Sequence, residues 1–224
     1  MPFPLALRQM TGRIRQPDSA AFLSEIFAAN PADAAAVGFV LAHIGKTVHP
    51  VLWVQDRMSR NESGRPYLPG LDLGTPLLRV DVNRPSDVLI AMEDGLRCKG
   101  LGAVIGEIWG EHPSLSFAAS KRLAIRSEAA GLPCWLIRRA AAPNLSAARE
   151  RWRVAALPSA PHPDDPMAPG APRWRAELFR SRFSQPGDWV AEHDRAADRV
   201  DFHAPFRDGA LAGSGGKGEQ RAAR

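Results

Sequence analysis

The stretch Phe22-Leu23-Ser24-Glu25-Ile26-Phe27-Ala28-Ala29-Asn30-Pro31-Ala32-Asp33-Ala34-Ala35-Ala36 decides how this chain is read. Phe22 to Phe27 alternate apolar and polar side chains, the two-residue period of a short strand. Asn30-Pro31 then has the form of a helix N-cap with proline in the first turn. Ala32 to Ile44 is Ala-rich and apolar on most sides, which predicts a deeply buried helix that Gly45 stops.

Working outward, the same alternation of strand and helix repeats. Val51-Leu52-Trp53-Val54 is a short apolar run between turn signals, the pattern of a buried parallel strand. Residues 56–74 are rich in Gly, Pro, Ser and Asn and read as a loop. Leu77 to Val80 predicts a strand. A helix starts at Arg84-Pro85, carries Val88, Leu89, Met92 and Leu96 at helical spacing, and ends by Gly100. Ala103-Val104-Ile105 is a further buried strand, Ser116 to Ala130 a helix ended by Gly131, and Pro133 to Ile137 a strand ending at Arg138-Arg139. Short connections between such elements call for a mostly parallel sheet with helices on both faces. Arg151 to Ala155, Arg173 to Leu178 and Trp189 to His193 lack intervening helices and read as an antiparallel extension of that sheet. The chain therefore divides into an N-terminal leader or arm (1–18), one α/β domain (19–194) and a Gly-rich flexible tail (195–224), the tail being expected to be dispensable for folding.

Composition bounds the function. The 224 residues include 45% hydrophobic and 24% charged residues, enough apolar content for a core. The net charge of +5 favours an acidic partner: nucleic acid, a protein face or a membrane surface. Met1 to Arg15 has no long apolar run or cleavage site, and no stretch of about 18 apolar residues occurs, so neither a secretory signal nor a membrane span is expected. Cys98 and Cys134 lie in different elements without CxxC spacing, which fits free thiols in a reducing compartment, so a cytoplasmic location is expected. The six histidines form no metal-ligand pattern, and no metal or other cofactor is expected. Ser63 and Ser114 lack the nucleophile-elbow context.

A strand–loop–helix unit is also where a nucleotide's phosphates would sit. A working phosphate loop needs glycines for close backbone approach, a lysine for the β and γ phosphates, and a Ser or Thr for Mg²⁺. Ala28 to Ala36 contains no glycine and no lysine. Pro31 removes an amide donor, and Asp33 places a negative charge beside the would-be phosphate. On these residues alone, a capped helix is the better reading. The glycines at 213–218 do not supply the loop elsewhere, because Leu211 and Gly218 stand at required Gly and Ser/Thr positions.

The order of elements resembles the RecA core, and more closely the ImuA family of RecA-like, damage-inducible mutagenesis proteins of bacteria. The resemblance rests on Ser24-Glu25-Ile26-Phe27, Val51-Leu52-Trp53-Val54-Gln55, Arg84-Pro85 with Ala91-Met92-Glu93, Ala103 to Gly110, the paired Arg-Trp-Arg segments and Gln185-Pro186-Gly187-Asp188-Trp189. It covers roughly residues 15–194, and its strength is the order and spacing of motifs that are individually short. It implies a degenerate nucleotide site at Ala28, Asn30, Asp33, Ala34 and Ala35, with Ala34 where the catalytic lysine would stand and Ala35 where the Mg²⁺-binding threonine would. Glu107, at the end of the Ala103 strand, falls at the second nucleotide motif, although a structural acid is the simpler reading. The resemblance further implies a non-enzymatic adaptor in translesion synthesis and the SOS response. Its partners would be RecA and ImuB, and indirectly an error-prone DnaE-type polymerase. Leu5, Leu7 and Ile14 would give the leader apolar contacts for such docking.

Two further readings stand beside it. Arg151, Arg153, Arg173, Arg175, Arg180 and Arg182 concentrate in the late strands, and alternation puts Arg151 and Arg153 opposite Trp152, and Arg173 and Arg175 opposite Trp174. Such a face suits DNA or an acidic protein; it also suits a solvated surface over a tryptophan core. A cell-division inhibitor resembling SulA, acting on FtsZ, is the third reading.

Overall fold

Strands whose side chains are apolar on both faces lie inside the sheet, and those with one polar face lie toward its rim. The computed structural model describes residues 21–67, 74–165 and 167–204. In chain order the elements are β1 (Leu23–Ala28), α1 (Ala35–Ile44), β2 (Val51–Gln55), α2 (Arg57–Ser63), β3 (Leu77–Asp81), α3 (Pro85–Gly95), β4 (Ala103–Trp109), α4 (Phe117–Ala130), β5 (Cys134–Arg139), β6 (Glu150–Leu157), β7 (Arg173–Ser181), β8 (Gly187–Asp194) and β9 (Arg199–His203). The strands form one sheet in the order β3-β2-β4-β5-β1-β6-β7-β8-β9. β1, β2, β4 and β5 are buried almost throughout, whereas β3 at one edge is largely exposed. The expected α/β class holds: a mostly parallel sheet flanked by helices and extended by antiparallel C-terminal strands.

Two apolar layers hold the sheet. α1 lies on one face, where Phe39 meets Trp152 at 5.3 Å and Trp174 at 5.8 Å between ring centroids. α3 and α4 lie on the other, packing Val88, Met92 and Leu123 against Leu52, Val104 and Leu136. Gly106 makes the second layer tight: a Cβ there would come within 2.1 Å of the Met92 sulfur, so α3 can rest directly on β4. Cys134 is buried in this layer, which pushes its thiol pKa up, and Cys98 is exposed; both are free. Among the described residues no helix is long and apolar enough to cross a membrane.

Several elements differ from expectation, each for a local reason. Residues 57–63 form a helix within the expected loop, because Asp56 caps it by accepting from the Ser59 amide at 2.7 Å. α1 begins at Ala35, later than expected, because Asn30 and Asp33 hold the preceding residues in turns. α3 ends at Gly95, short of Gly100. β6 is parallel to β1 and antiparallel to β7, so the antiparallel extension starts one strand later than the sequence suggests. The expected tail boundary at 195 also moves. Residues 199–203 form β9, paired antiparallel to β8, because Val200 and Phe202 alternate onto the aromatic layer while the turn at Asp198 takes a left-handed φ of 50°. The expected leader (1–18) and residues 205–224 lie outside the described residues.

Two expected outcomes follow from this packing. Ending the chain after Asp194 removes Val200 and Phe202 from the core, so it should cost on the order of 3 kcal/mol in urea denaturation. That experiment would show an unchanged midpoint if β9 were dispensable. The second concerns His43, whose ring lies among Phe39, Trp135, Trp152 and Phe202 at centroid distances of 4.1 to 6.0 Å. Burial there lowers its pKa from 6.5 to about 4. The unfolded chain therefore takes up the proton first, and stability that is complete above about pH 6.5 is lost as pH falls toward 4. His193 is lowered in the same direction, chiefly by burial. His43→Phe should accordingly lose less melting temperature than the parent chain between pH 7 and pH 4.5.

Candidate functional site

The turn between β1 and α1 satisfies two of its amides with its own side chains. The Asn30 side chain accepts from the Ala32 amide at 3.1 Å, and the Asp33 carboxylate accepts from the Ala35 amide at 2.9 Å. Ala34 precedes the helix with no side-chain cap, and its carbonyl accepts from the Gly38 amide at 2.8 Å. Ala28 ends β1, and the next residue's amide, that of Ala29, is fixed by the Val154 carbonyl at 2.8 Å. Two amides of the loop therefore already face oxygens from the loop's own side chains.

The loop's carbonyls face a cation. Arg139, at the end of β5, donates from Nη1 to the carbonyl oxygens of Pro31 and Asp33 at 2.5 and 2.8 Å. Its Nε donates to Glu107 Oε1 across the neighbouring strand. A phosphate-binding loop converges amide hydrogens on an anion; this one converges carbonyl oxygens on a guanidinium. The polarity is opposite, and these charge-assisted contacts are stronger than neutral ones.

Glu107 is already engaged by side chains of the protein. Oε1 accepts from Arg139, and Oε2 accepts from Trp53 Nε1 at 3.1 Å and Gln55 Nε2 at 2.8 Å; Ser63 Oγ lies 3.2 Å from Oε1 but is 2.6 Å from the Ser59 carbonyl, which takes its single proton. Three donors thus occupy most of the acceptor sites of the carboxylate. The residue is 1% exposed. Among the described residues no group of three or more His, Cys, Asp or Glu side chains is placed to hold a metal ion. Beside this network lies a cavity of about 320 Å³, with Val37, Trp53 and Tyr67 as apolar wall and Gln55, Glu107 and Arg139 as polar floor.

The structure thus brings Asn30, Asp33, Ala34, Ala35 and Glu107 to one end of the parallel strands, and it adds residues that sequence reading passed over. Trp53, Gln55, Ser63 and Arg139 complete the network. The available signal was the consecutive Arg138-Arg139 closing an apolar strand, since neighbouring strand residues must point to opposite faces.

The late arginines do not form one basic face. Arg151 is buried and donates from Nε to Glu25 Oε2 at 2.8 Å, so it is corrected from a surface contact to an internal ion pair. The β6–β7 register shifts between Arg151 and Trp152. Trp152 and Trp174 are core, as the solvated-surface reading had them. Arg153 stacks over Phe179 and pairs with Glu177, and Arg175 pairs with Asp188 at 2.6 Å. Arg173 donates to the carbonyls of Pro158 and Ser159, and Arg180 to that of Ser146. Arg182 is exposed and contributes to holding the Glu128 carboxyl below its usual range, after the larger effect of Arg149. Acidic residues opposite Arg153 and Arg175 make this a mixed-charge surface.

No family model matches this chain. Two curated proteins named Protein ImuA, from two strains of Caulobacter vibrioides, are each 36% identical to it over 160 residues, which is 65% of this chain and 61% of theirs. The chain thus spans about three fifths of the length of these relatives. The similarity supports membership of the ImuA family.

The ion pair at the centre of the site can be tested directly. Arg139→Met leaves the Glu107 carboxylate buried without its cation, and should cost about 3–5 kcal/mol in urea denaturation. Glu107→Gln should cost a similar amount by stranding Arg139. Combining them should cost well under the sum, and strict additivity would show that the two side chains are energetically independent.

Proposed function

We propose that this member of the ImuA family is a non-catalytic accessory protein in DNA-damage-induced mutagenesis, docking with RecA and with ImuB and, through ImuB, with an error-prone DnaE-type polymerase. A role in damage-induced mutagenesis follows the family of its relatives. The adaptor reading adds that nucleotide turnover is not the means by which it acts.

The observation that carries this reading is Arg139 on the loop carbonyls. A nucleotide placed on the β1–α1 turn would bring its phosphates toward the Asp33 carboxylate and toward carbonyl oxygens, and residues 28–36 contain no lysine to meet them. The loop amides of Ala32 and Ala35 would first have to release Asn30 and Asp33. Loss of one preorganised donor to developing charge typically removes about 3 kcal/mol of transition-state stabilisation, and here the loop lysine and its hydroxyl partner are both absent. A protein that keeps its sheet and helices without this chemistry is suited to presenting surfaces. The DNA-binding alternative draws less support, because Arg153 and Arg175 already face acidic side chains.

The purified chain is expected to bind RecA or ImuB in pull-downs with no nucleotide added, and to show no ATP or GTP turnover above a buffer control. Charge reversal at Arg153 and Arg175 should weaken DNA association and flatten its salt dependence while leaving much of the protein binding intact. Turnover that disappears in Glu107→Gln would overturn the non-catalytic reading. Loss of both partners in the folded charge-reversed variant would move the protein interface onto that strand face.

A further inference from the structure

On the sheet face opposite the loop, two buried guanidinium groups lie near one carboxylate, which pairs with one of them. Arg138 and Arg151 are 1% and 5% exposed, and both lie over the Phe27 ring, at 5.5 and 5.3 Å. Glu25, itself 1% exposed, accepts from Arg151 and from Ser146 Oγ at 2.6 Å. Arg138 has one hydrogen bond, from Nη1 to Asn144 Oδ1 at 3.3 Å. Its Nε and Nη2 have no hydrogen-bond partner, and neither has Nη2 of Arg151. Its buried members are two guanidinium groups and one carboxylate, with the exposed Glu111 acting on Arg138 from outside, in surroundings where an uncompensated charge is costly. Burial, with the Arg151 charge as a smaller cause, lowers the Arg138 pKa even though Glu25 and Glu111 act to raise it.

The same side chain lines a small cavity with the start of α4. Glu25, Ser116, Ser120, Arg138 and Ser146 supply its polar lining, and Ala119 with five leucines supplies the rest. Its volume is about 10 Å³, room for a single particle of about the size of a water. α4 is a fourteen-residue helix with no acidic side chain in its first turn, so the positive end of its dipole is not offset from within. The segment between β5 and β6 roofs the cavity and is pinned there: Asn144 donates to the Leu115 carbonyl at 3.0 Å, and Ser120 Oγ accepts from the Ala147 amide at 3.0 Å.

We propose that the cavity between the α4 N-terminus and the Arg138 guanidinium binds a monatomic monovalent anion, chloride under ordinary conditions. A water fills the space but leaves the excess charge in place. An oxyanion such as sulfate is too large without displacing Leu145 and Ser146 from the roof. The site is independent of the β1–α1 loop and of the adaptor reading.

The test is thermal melting of the full chain while sodium chloride, bromide or sulfate replaces sodium gluconate at constant ionic strength. Chloride and bromide should raise the melting temperature saturably, by roughly 3 to 6 °C at ten times the dissociation constant. Sulfate should show no saturable phase. Arg138→Gln should lose the halide response. Ser116→Asp, which keeps a capping side chain and adds a carboxylate beside the cavity, should melt higher than the parent without halide and respond to it no further. A rise shared by all three salts, or a halide response that survives in Ser116→Asp, would overturn the proposal whether or not Arg138→Gln folds.

Discussion

Arg139 cannot be left in this structure without Glu107, nor Glu107 without Arg139. Each is almost wholly withdrawn from water, and a lone charge there would cost several kcal/mol. The pair therefore fixes more than itself. Through Glu107 it ties β4 to Trp53 and Gln55 on β2, with Ser63 at the end of α2 lying 3.2 Å from the same carboxylate. Through Arg139 it ties β5 to the turn that precedes α1. The ends of three parallel strands, a short helix and the start of another are registered by one carboxylate and one guanidinium. A network of this kind favours a single arrangement because every member needs the others to satisfy its hydrogen bonds.

The two faces of the sheet solve different problems. Beneath α1, burial is aromatic and extends across the sheet to Phe202 on β9, so the late strands have a core although only one of their faces is covered by a helix-bearing layer. On the other face α3 and α4 cover β2, β4, β5 and β1, while the β5–β6 connection contains no helix. Beyond it, the open face of β6 to β8 is built from cross-strand pairs such as Arg153 with Glu177 and Arg175 with Asp188. Exposed pairs of this type stabilise by at most about 1 kcal/mol each. Their contribution is to keep a wide strand surface wettable and unattractive to other strand edges.

Much of the fold was legible because apolar periodicity reports burial. β2 and β5 open as apolar runs and are buried on both faces, and α4 is bracketed by Ser116 and Gly131, which cap it as their residue types suggest. α2 was not legible, because its seven residues carry no apolar stripe and depend on the Asp56 cap. β9 was hidden by a polar context in which only Val200 and Phe202 face the core. For the site, the lack of a lysine and glycines in residues 28–36 was plain. What fills the space instead was not, since Arg139 reaches Pro31 across 108 positions of sequence. The burial of Arg151 was equally invisible: strand alternation gives the face a residue points to, and only the tertiary packing of Glu25 and Phe27 decides whether water reaches it.

The guanidinium on the loop carbonyls also determines how this protein could be re-engineered. Writing a lysine at position 34 and a threonine at position 35 does not create a phosphate site. The new ammonium would meet Arg139 beside the same oxygens, while Asp33 remained to repel the ligand. Removing Arg139 first strands Glu107, and removing Glu107 first strands Arg139. Removing either member of the pair alone therefore passes through a less stable protein. The loop is held in its present form by epistasis, a barrier made of mutual dependence among residues far apart in the chain.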